Sequence, residues 1–379
     1  MEVQNTLDRL IKINSVFGNE AAIGRHLELK LRKMGFSTSR QYFSGDRFNI
    51  FAQRPGNGDA VMFYGHMDTV TPHGKWEKGP FNLFKQGDRL YGLGACDMKG
   101  GIAAMLTAAN KDKERRVKIL LCADEENISQ GAWSAIRMKK WFNDVRLIVS
   151  CEPGNSVKHT GGANVVGIGR RGRVVIEADV QGISSHAALS PQKGVNAIDE
   201  AAKIATAVST FKLRNHKYLG AENIFVRKME GDSESALDMP DHAHIEFDIQ
   251  LVPPSTVQDA RARVERMVAE LRRKGRLNSS TKVKVAVKKR ETPYMEPYVQ
   301  DAANPRIRKV LRLIKKNLRE PVINYASSVA DDNVLSKSTR IPIVTIGPIG
   351  GNEHGQNEWV SLRSLRELVS IYSAIMREM

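Results

Sequence analysis

The strongest restriction on the fold is an alternation of short apolar runs and helical patterns that is interrupted once. Apolar runs at residues 60–64, 118–122, 147–151 and 341–346 are separated by stretches with helical spacing at 99–110, 131–142 and 362–376. Runs of this length without polar alternation belong to strands covered on both faces, and strands interleaved with helices form a mainly parallel sheet. Between residues 173 and 290 the pattern changes. Residues 174–180, 244–251 and 282–287 alternate apolar and polar side chains, as half-buried antiparallel strands do, with helical stretches at 196–210 and 256–273 between them. The order β-α-β-β-α-β is that of a ferredoxin-like module. The expected fold class is therefore α/β, a mixed and mainly parallel sheet flanked by helices. Residues 1–172 and 291–379 form this main domain, and residues 173–290 are inserted into it as an α+β lid and dimerisation domain. A module with one sheet face free invites a second subunit, so a homodimer through the lid is expected.

Composition removes several classes. With 379 residues, 41% of them hydrophobic, the chain can bury a substantial core and is not disordered. No apolar stretch approaches the roughly 18 residues that cross a membrane. Residues 1–13 mix acidic and basic side chains in an amphipathic helical pattern, which lacks the order of a signal peptide, so a cytoplasmic location is expected. Cys96, Cys122 and Cys151 are odd in number and without CxxC spacing, which suggests neither a disulfide scaffold nor a thiolate metal site. The excess of basic residues, +16 with a pI near 9.7, favours acidic partners. Aromatics are only 6%, no recognition motif accompanies the charge, and nucleic acid is not an expected partner.

The chemistry concentrates where apolar runs end. Phe63-Tyr-Gly-His-Met-Asp-Thr-Val70 places His66 and Asp68 on the same side of an extended chain, where a ligand histidine and the carboxylate that orients it could sit. A solvated strand end is the competing reading. Tyr91-Gly-Leu-Gly-Ala-Cys-Asp-Met-Lys-Gly-Gly101 puts Asp97 just before a helix, where it could equally be an N-cap. The run 118–122 leads into Ala123-Asp-Glu-Glu126, and 147–151 into Glu152-Pro153. In an open α/β sheet the carboxyl ends of the strands line the ligand crevice. His66, Asp97, Glu125, Glu126 and Glu152 would then collect on one edge, and so much negative charge calls for a cation. His354, in Gly350-Gly-Asn-Glu-His-Gly-Gln-Asn-Glu358, reaches the same edge. Histidines with carboxylates and no thiolate suit zinc, cobalt or manganese in an open hydrolytic site with two divalent ions per chain.

Taken in order, Gly-His-Met-Asp-Thr-Val, Gly-Ala-Cys-Asp-Met-Lys-Gly-Gly, Asp-Glu-Glu, Glu-Pro, Ser-His-Ala-Ala, Gly-Val-Asn-Ala-Ile and His-Gly-Gln-Asn-Glu resemble the zinc aminoacylase and carboxypeptidase family. That family includes acetylornithine deacetylase, succinyl-diaminopimelate desuccinylase and glutamate carboxypeptidase. Trp76, Pro80-Phe81 and Tyr91-Gly-Leu-Gly are most similar to the deacetylase branch. The resemblance covers essentially the whole chain and implies a division of labour. His66 and Glu152 hold one metal, Glu126 and His354 the other, and Asp97 bridges both. Asp68 orients His66, and Glu125 is the general base. His186 reaches the partner subunit's site and donates to the oxyanion. Arg170 and Arg171 lie at the substrate-carboxylate position, with Arg171 the better candidate. A structural turn histidine is the competing reading of His186.

Two departures bear on specificity. Some relatives carry an arginine where this chain has Gln250, and Leu237-Asp-Met-Pro240 replaces an Asn-x-x-Pro element. Both argue against a diacid substrate and for a mono-carboxylate with a neutral or cationic side chain. The segment from Arg306 to Arg319 gathers seven basic residues with no acid between the first and last. It reads as a solvated helix face or as a docking surface for an acidic carrier protein, from which some relatives release lysine or ornithine. The resulting expectation is a deacylase of arginine or lysine biosynthesis acting on a small N-acyl amino acid or peptide. A dipeptidase, a carboxypeptidase or a succinyl-diaminopimelate desuccinylase using the same site is the alternative, and a metal-free binding protein on this fold is weaker because no ligand is missing.

Overall fold

The computed structural model describes residues 2–111, 115–154, 162–190 and 192–379. It divides into two compact units, Met1–Arg170 with Val299–Met379, and Arg171–Tyr298.

In the first unit a mixed sheet runs in the order Ser37–Ser44, Arg47–Arg54, Arg115–Cys122, Asn57–His66, Val145–Ser150, Ile343–Thr345, Val165–Arg170. Asn57–His66 is parallel to both its neighbours, and Ile343–Thr345 is parallel to Val145–Ser150. These four central strands are the apolar runs of the sequence, and their buried residues form one core with the helices Glu2–Ile11, Lys99–Lys111 and Leu362–Glu378. Because they are parallel, their carboxyl ends share one edge. Lys99–Lys111 is buried on nearly every side. A Cβ on its Gly101 would lie 2.1 Å from the Cys151 carbonyl oxygen, so glycine is what lets the helix start against the strand end that leads to Glu152. A small sheet in the order Gly350–Gly351, Trp359–Ser361, Arg89–Tyr91, Phe84–Gln86 flanks the same edge.

Two local features differ from the sequence pattern. The polar strand Ser37–Ser44 forms the sheet's edge beside the largely buried Arg47–Arg54, and a largely exposed strand needs no apolar run. The stretch 131–142 is a short helix, Gln130–Ala135, followed by a separate 3-10 turn, Lys139–Trp141. There the Trp141 ring stacks on Phe51 at 4.8 Å and its carbonyl accepts from Lys118 Nζ at 3.0 Å, contacts that hold the turn to the sheet.

The second unit has strands Gly172–Gln181, Asn223–Asp232, His242–Leu251 and Lys282–Val287, all antiparallel to their neighbours, with the second and third strands on one side of the first and the fourth on the other. Helices Ala197–Thr206 and Val257–Arg273 cover one face, capped by the side chains of Asn196 and Thr256. This is the ferredoxin-like order. The opposite face carries charge pairs instead of a core, among them Arg173 with Asp248 and Lys288 with Glu246. The segment after Val287 stays with this unit, and the Arg173 N–H donates to the Met295 carbonyl at 2.9 Å. Among the described residues no helix is long and apolar enough to cross a membrane.

Candidate metal centre

His66 ends a central strand and is fully buried. Its Nε2 lies 3.0 Å from Asp97 Oδ1 and 3.2 Å from Glu152 Oε1, while its Nδ1 is 3.1 Å from the Asp68 carbonyl and 3.6 Å from Asp68 Oδ1. Asp68 also accepts the Glu126 N–H through Oδ2 at 2.9 Å, so it touches both the histidine and the acidic turn. From the far end of the chain, His354 brings Nε2 to 3.0 Å from Glu126 Oε2 and 3.5 Å from Asp97 Oδ2. It sits in the left-handed region with φ 58°, on a loop with Asn352 and Asn357 in the same conformation. The structure thus brings together His66, Asp68, Asp97, Glu126, Glu152 and His354 from five separate segments. One ligand atom from each of His66, Asp97 and Glu126 lies within 4.8 Å of the others, and the same is true of His66, Glu125 and Glu152.

The electrostatics are those of a site short of positive charge. Burial, joined by the charge of Asp97, pushes Glu126 up to about 7 and also raises Glu152. Glu125 is held well above the ordinary carboxylate value by burial and by the neighbouring Glu152, Glu126 and Asp331. Burial opposes a charge on His66, yet contacts with Asp68, Asp97 and Glu152 hold its imidazole well above the usual range. Asp97 and Glu126 hold His354 up at about 11. Asp97 is pulled low by His354 and His66 in spite of its burial. Asp68 Oδ1 and Glu152 Oε1 are buried and make no well-formed hydrogen bond, their contact being with the His66 ring at 3.6 and 3.2 Å, which is costly for a carboxylate unless something else coordinates it.

Of the other predicted residues, Arg170 adjoins the cluster, and Arg171 and His186 belong to the second unit. Arg170 is buried; its Nε donates to Asp332 at 3.0 Å, its Nη1 to Ser328 at 3.2 Å, and its Nη2 is 3.6 Å from Glu152 Oε2. Arg171 begins the second unit and donates to the Leu219 carbonyl through Nε and Nη2, at 3.1 and 2.7 Å. His186 belongs to the second unit, is exposed, and caps the turn Ala187–Leu189 by accepting the Ala188 N–H at Nδ1.

Several buried polar residues around the site have no assignment from sequence. Tyr64 donates to Asp331 at 2.5 Å, and Asp332 accepts from Thr345 at 2.6 Å as well as from Arg170. Adjacent acids at the start of the helix Asp331–Thr339 carry the signature of dipole-favouring first-turn residues, which hides their burial. Burial pushes Asp331 up to about 7. Glu358 accepts the N–H groups of Gly94, Cys96 and Asp97; burial raises its carboxyl, and these three bonds oppose that by favouring the ionised form.

The sequence profile of peptidase family M20/M25/M40 matches residues 62–378. A succinyl-diaminopimelate desuccinylase from Nitrosospira multiformis is 28% identical over 362 residues, 92% of this chain and 91% of that protein. Among solved structures, aminopeptidase PepT from Bacillus cereus superposes with a TM-score of 0.80 at 19% identity, over 99% of this chain and 97% of that one. A dinuclear metal-binding peptidase of the M20 family from Bacillus subtilis gives 0.73 at 13% identity, over 99% and 96%. At these identities the two structures bear on the fold, and it is the one expected from the strand and helix order. The profile match spans most of the chain and ends beyond His354. The chain belongs to peptidase family M20/M25/M40 and is a metal-dependent hydrolase of amide bonds.

Proposed function

We propose that this hydrolase removes the N-acyl group from an amino acid, using two divalent ions, zinc in the first instance. The observation that carries the reading is the gathering of two histidines and four carboxylates on one sheet edge, with buried carboxylate oxygens that make no well-formed hydrogen bond. Nitrogen and oxygen donors without a thiolate fit such ions. His66 and Glu152 would hold one ion, Glu126 and His354 the other, and Asp97 both. When bound, the ions supply Lewis acidity toward the amide carbonyl and make water acidic enough to attack near neutral pH.

The chain's own residues do the rest. Asp68 fixes the ring of His66 through Nδ1, and Arg170 beside Glu152 Oε2 fixes that carboxylate. Glu125 takes the proton of the attacking water and delivers it to the departing amine nitrogen; its raised affinity for protons suits a group that must both accept and return one. His186 donates to the oxyanion and Arg171 binds the substrate carboxylate, roles that rest on the family resemblance. We further propose a homodimer formed through the unit Arg171–Tyr298.

Gln250 and Leu237-Asp-Met-Pro240 favour a mono-carboxylate substrate of the acetylornithine kind. The similarity to a desuccinylase supports the second reading, hydrolysis of succinyl-diaminopimelate. The helix Pro305–Asn317 exposes Arg308, Arg312, Lys315 and Lys316, which supports a third form of substrate, an amino acid held on an acidic carrier protein. A metal-reconstituted panel of acetylornithine, succinyl-diaminopimelate, dipeptides and acyl-lysine conjugates separates these. Turnover of the first and not the second supports the deacylase reading, and preferential turnover of dipeptides overturns it.

A further inference from the structure

Glu358 is 2% exposed, and among the described residues it accepts no hydrogen bond from a cationic side chain. All its carboxylate bonds come from the backbone of one loop: Gly94 N–H to Oε2 at 2.6 Å, Cys96 N–H to Oε1 at 2.8 Å and Asp97 N–H to Oε1 at 2.9 Å. Its own carbonyl accepts the Gly92 N–H at 3.0 Å. Each of these hydrogen bonds thus comes from the six residues that end in Asp97. Glu358 also directly precedes the strand Trp359–Ser361, which pairs with Arg89–Tyr91, and follows the His354 loop.

A loop N–H is ordinarily satisfied by water at little cost, whereas a buried carboxylate carries a large desolvation cost. What a carboxylate offers is two acceptor oxygens with no donor of its own, matched here to three converging N–H groups. We propose that Glu358 is a positioning residue for the metal centre: it fixes the backbone of the Asp97 loop against the His354 loop, so that the bridging carboxylate stands in place before any ion arrives. The inference rests on the two-ion reading above. Groups that hold a ligand in place without touching the metal typically set affinity by about 10–100-fold.

The test measures metal binding, not turnover. The metal-free wild-type chain, Glu358→Gln and Asp97→Ala are titrated with Co(II) and Zn(II) against a chromophoric chelator, with ions per chain counted and metal-free melting recorded. Gln keeps the size of the side chain and one oxygen but turns an amide nitrogen toward a backbone N–H. The expected result is a folded variant whose ion affinity falls by about 10–100-fold. Wild-type affinity in Glu358→Gln, even with lowered melting, makes the residue merely structural and overturns the inference. A wild-type chain that loads no ions overturns the two-ion reading and takes this one with it. If the variant does not fold, hydrogen exchange in the metal-free wild-type chain decides: slow exchange at the Gly94, Cys96 and Asp97 amides supports the pre-set loop, and exchange at open-loop rates overturns it.

Discussion

In the unit Arg171–Tyr298 a buried carboxylate arrives with its cation, whereas at the sheet edge of the other unit buried carboxylates arrive with each other. Glu222 accepts from Arg263 at 2.5 and 3.0 Å, from Ser255 at 2.5 Å and from the Arg214 N–H at 3.0 Å. Glu246 pairs with Lys288, and Glu200 with Lys203 and Thr281. Burial opposes ionisation at all three, yet these contacts hold each below the ordinary carboxylate value. At the sheet edge Glu125, Glu126 and Glu152 are held above it. Deeper desolvation and mutual charge raise the acids of the sheet edge, whereas cationic and hydrogen-bonding partners lower those of the second unit, which separates a network completed within the chain from one that an added positive charge would complete.

The largest effect should come from Asp97, the carboxylate shared between His66 and His354. Asp97→Ala should lose both ions and with them hydrolysis, as read by elemental analysis and turnover. Full metal content with full activity in that variant would remove the reason for treating the sheet edge as incomplete.

Glu125 sharpens the contrast within the site. If it moves a proton and does not hold an ion, Glu125→Gln keeps both ions while kcat falls by about 10²–10⁴, with KM little changed. Its oxygen lies within ligand range of His66 and Glu152, so loss of an ion in this variant would make it a ligand and reverse its division from Glu126.

His186 tests whether the second unit contributes chemistry as well as a paired scaffold. His186→Ala should keep its metal and lose about 10²–10³ in kcat. In a dimer whose sites draw His186 from the partner, mixing Glu125→Gln chains with His186→Ala chains restores part of the activity. No recovery after demonstrated subunit exchange would leave His186 as the cap of its own turn.

The legible parts of this molecule are those where a side chain's task follows from its place on a strand. His66, Glu126 and Glu152 stand at or just past the ends of apolar parallel runs, and parallel strands bring such ends to one edge whatever their separation in sequence. Glu358 is in a quoted motif, yet its task depends on three N–H groups more than 260 residues away. Arg170 and Arg171 are adjacent and look equivalent; the fold buries one against Asp332 and gives the other a carbonyl to bind. The edge strand Ser37–Ser44 escaped the pattern because an exposed strand carries no core signal.

The smallest expected effect lies in the paired network. Glu222→Gln keeps the shape of the side chain but removes the charge facing Arg263, which retains Asp259 at 3.1 Å. Loss of charge-assisted bonds of this kind costs about 2 kcal/mol at neutral pH, measurable by denaturant unfolding of the whole chain. The pH dependence gives the sign. Glu222 is lowered from 4.5 in the folded state, so its contribution is fully present above that value and disappears as pH falls through the folded one. The wild-type protein should therefore lose stability over that acid range and Glu222→Gln should lose less, the two curves converging at low pH. Parallel curves would mean that the pair contributes no net charge stabilisation, and the contrast between the two regions would then rest on hydrogen bonding alone.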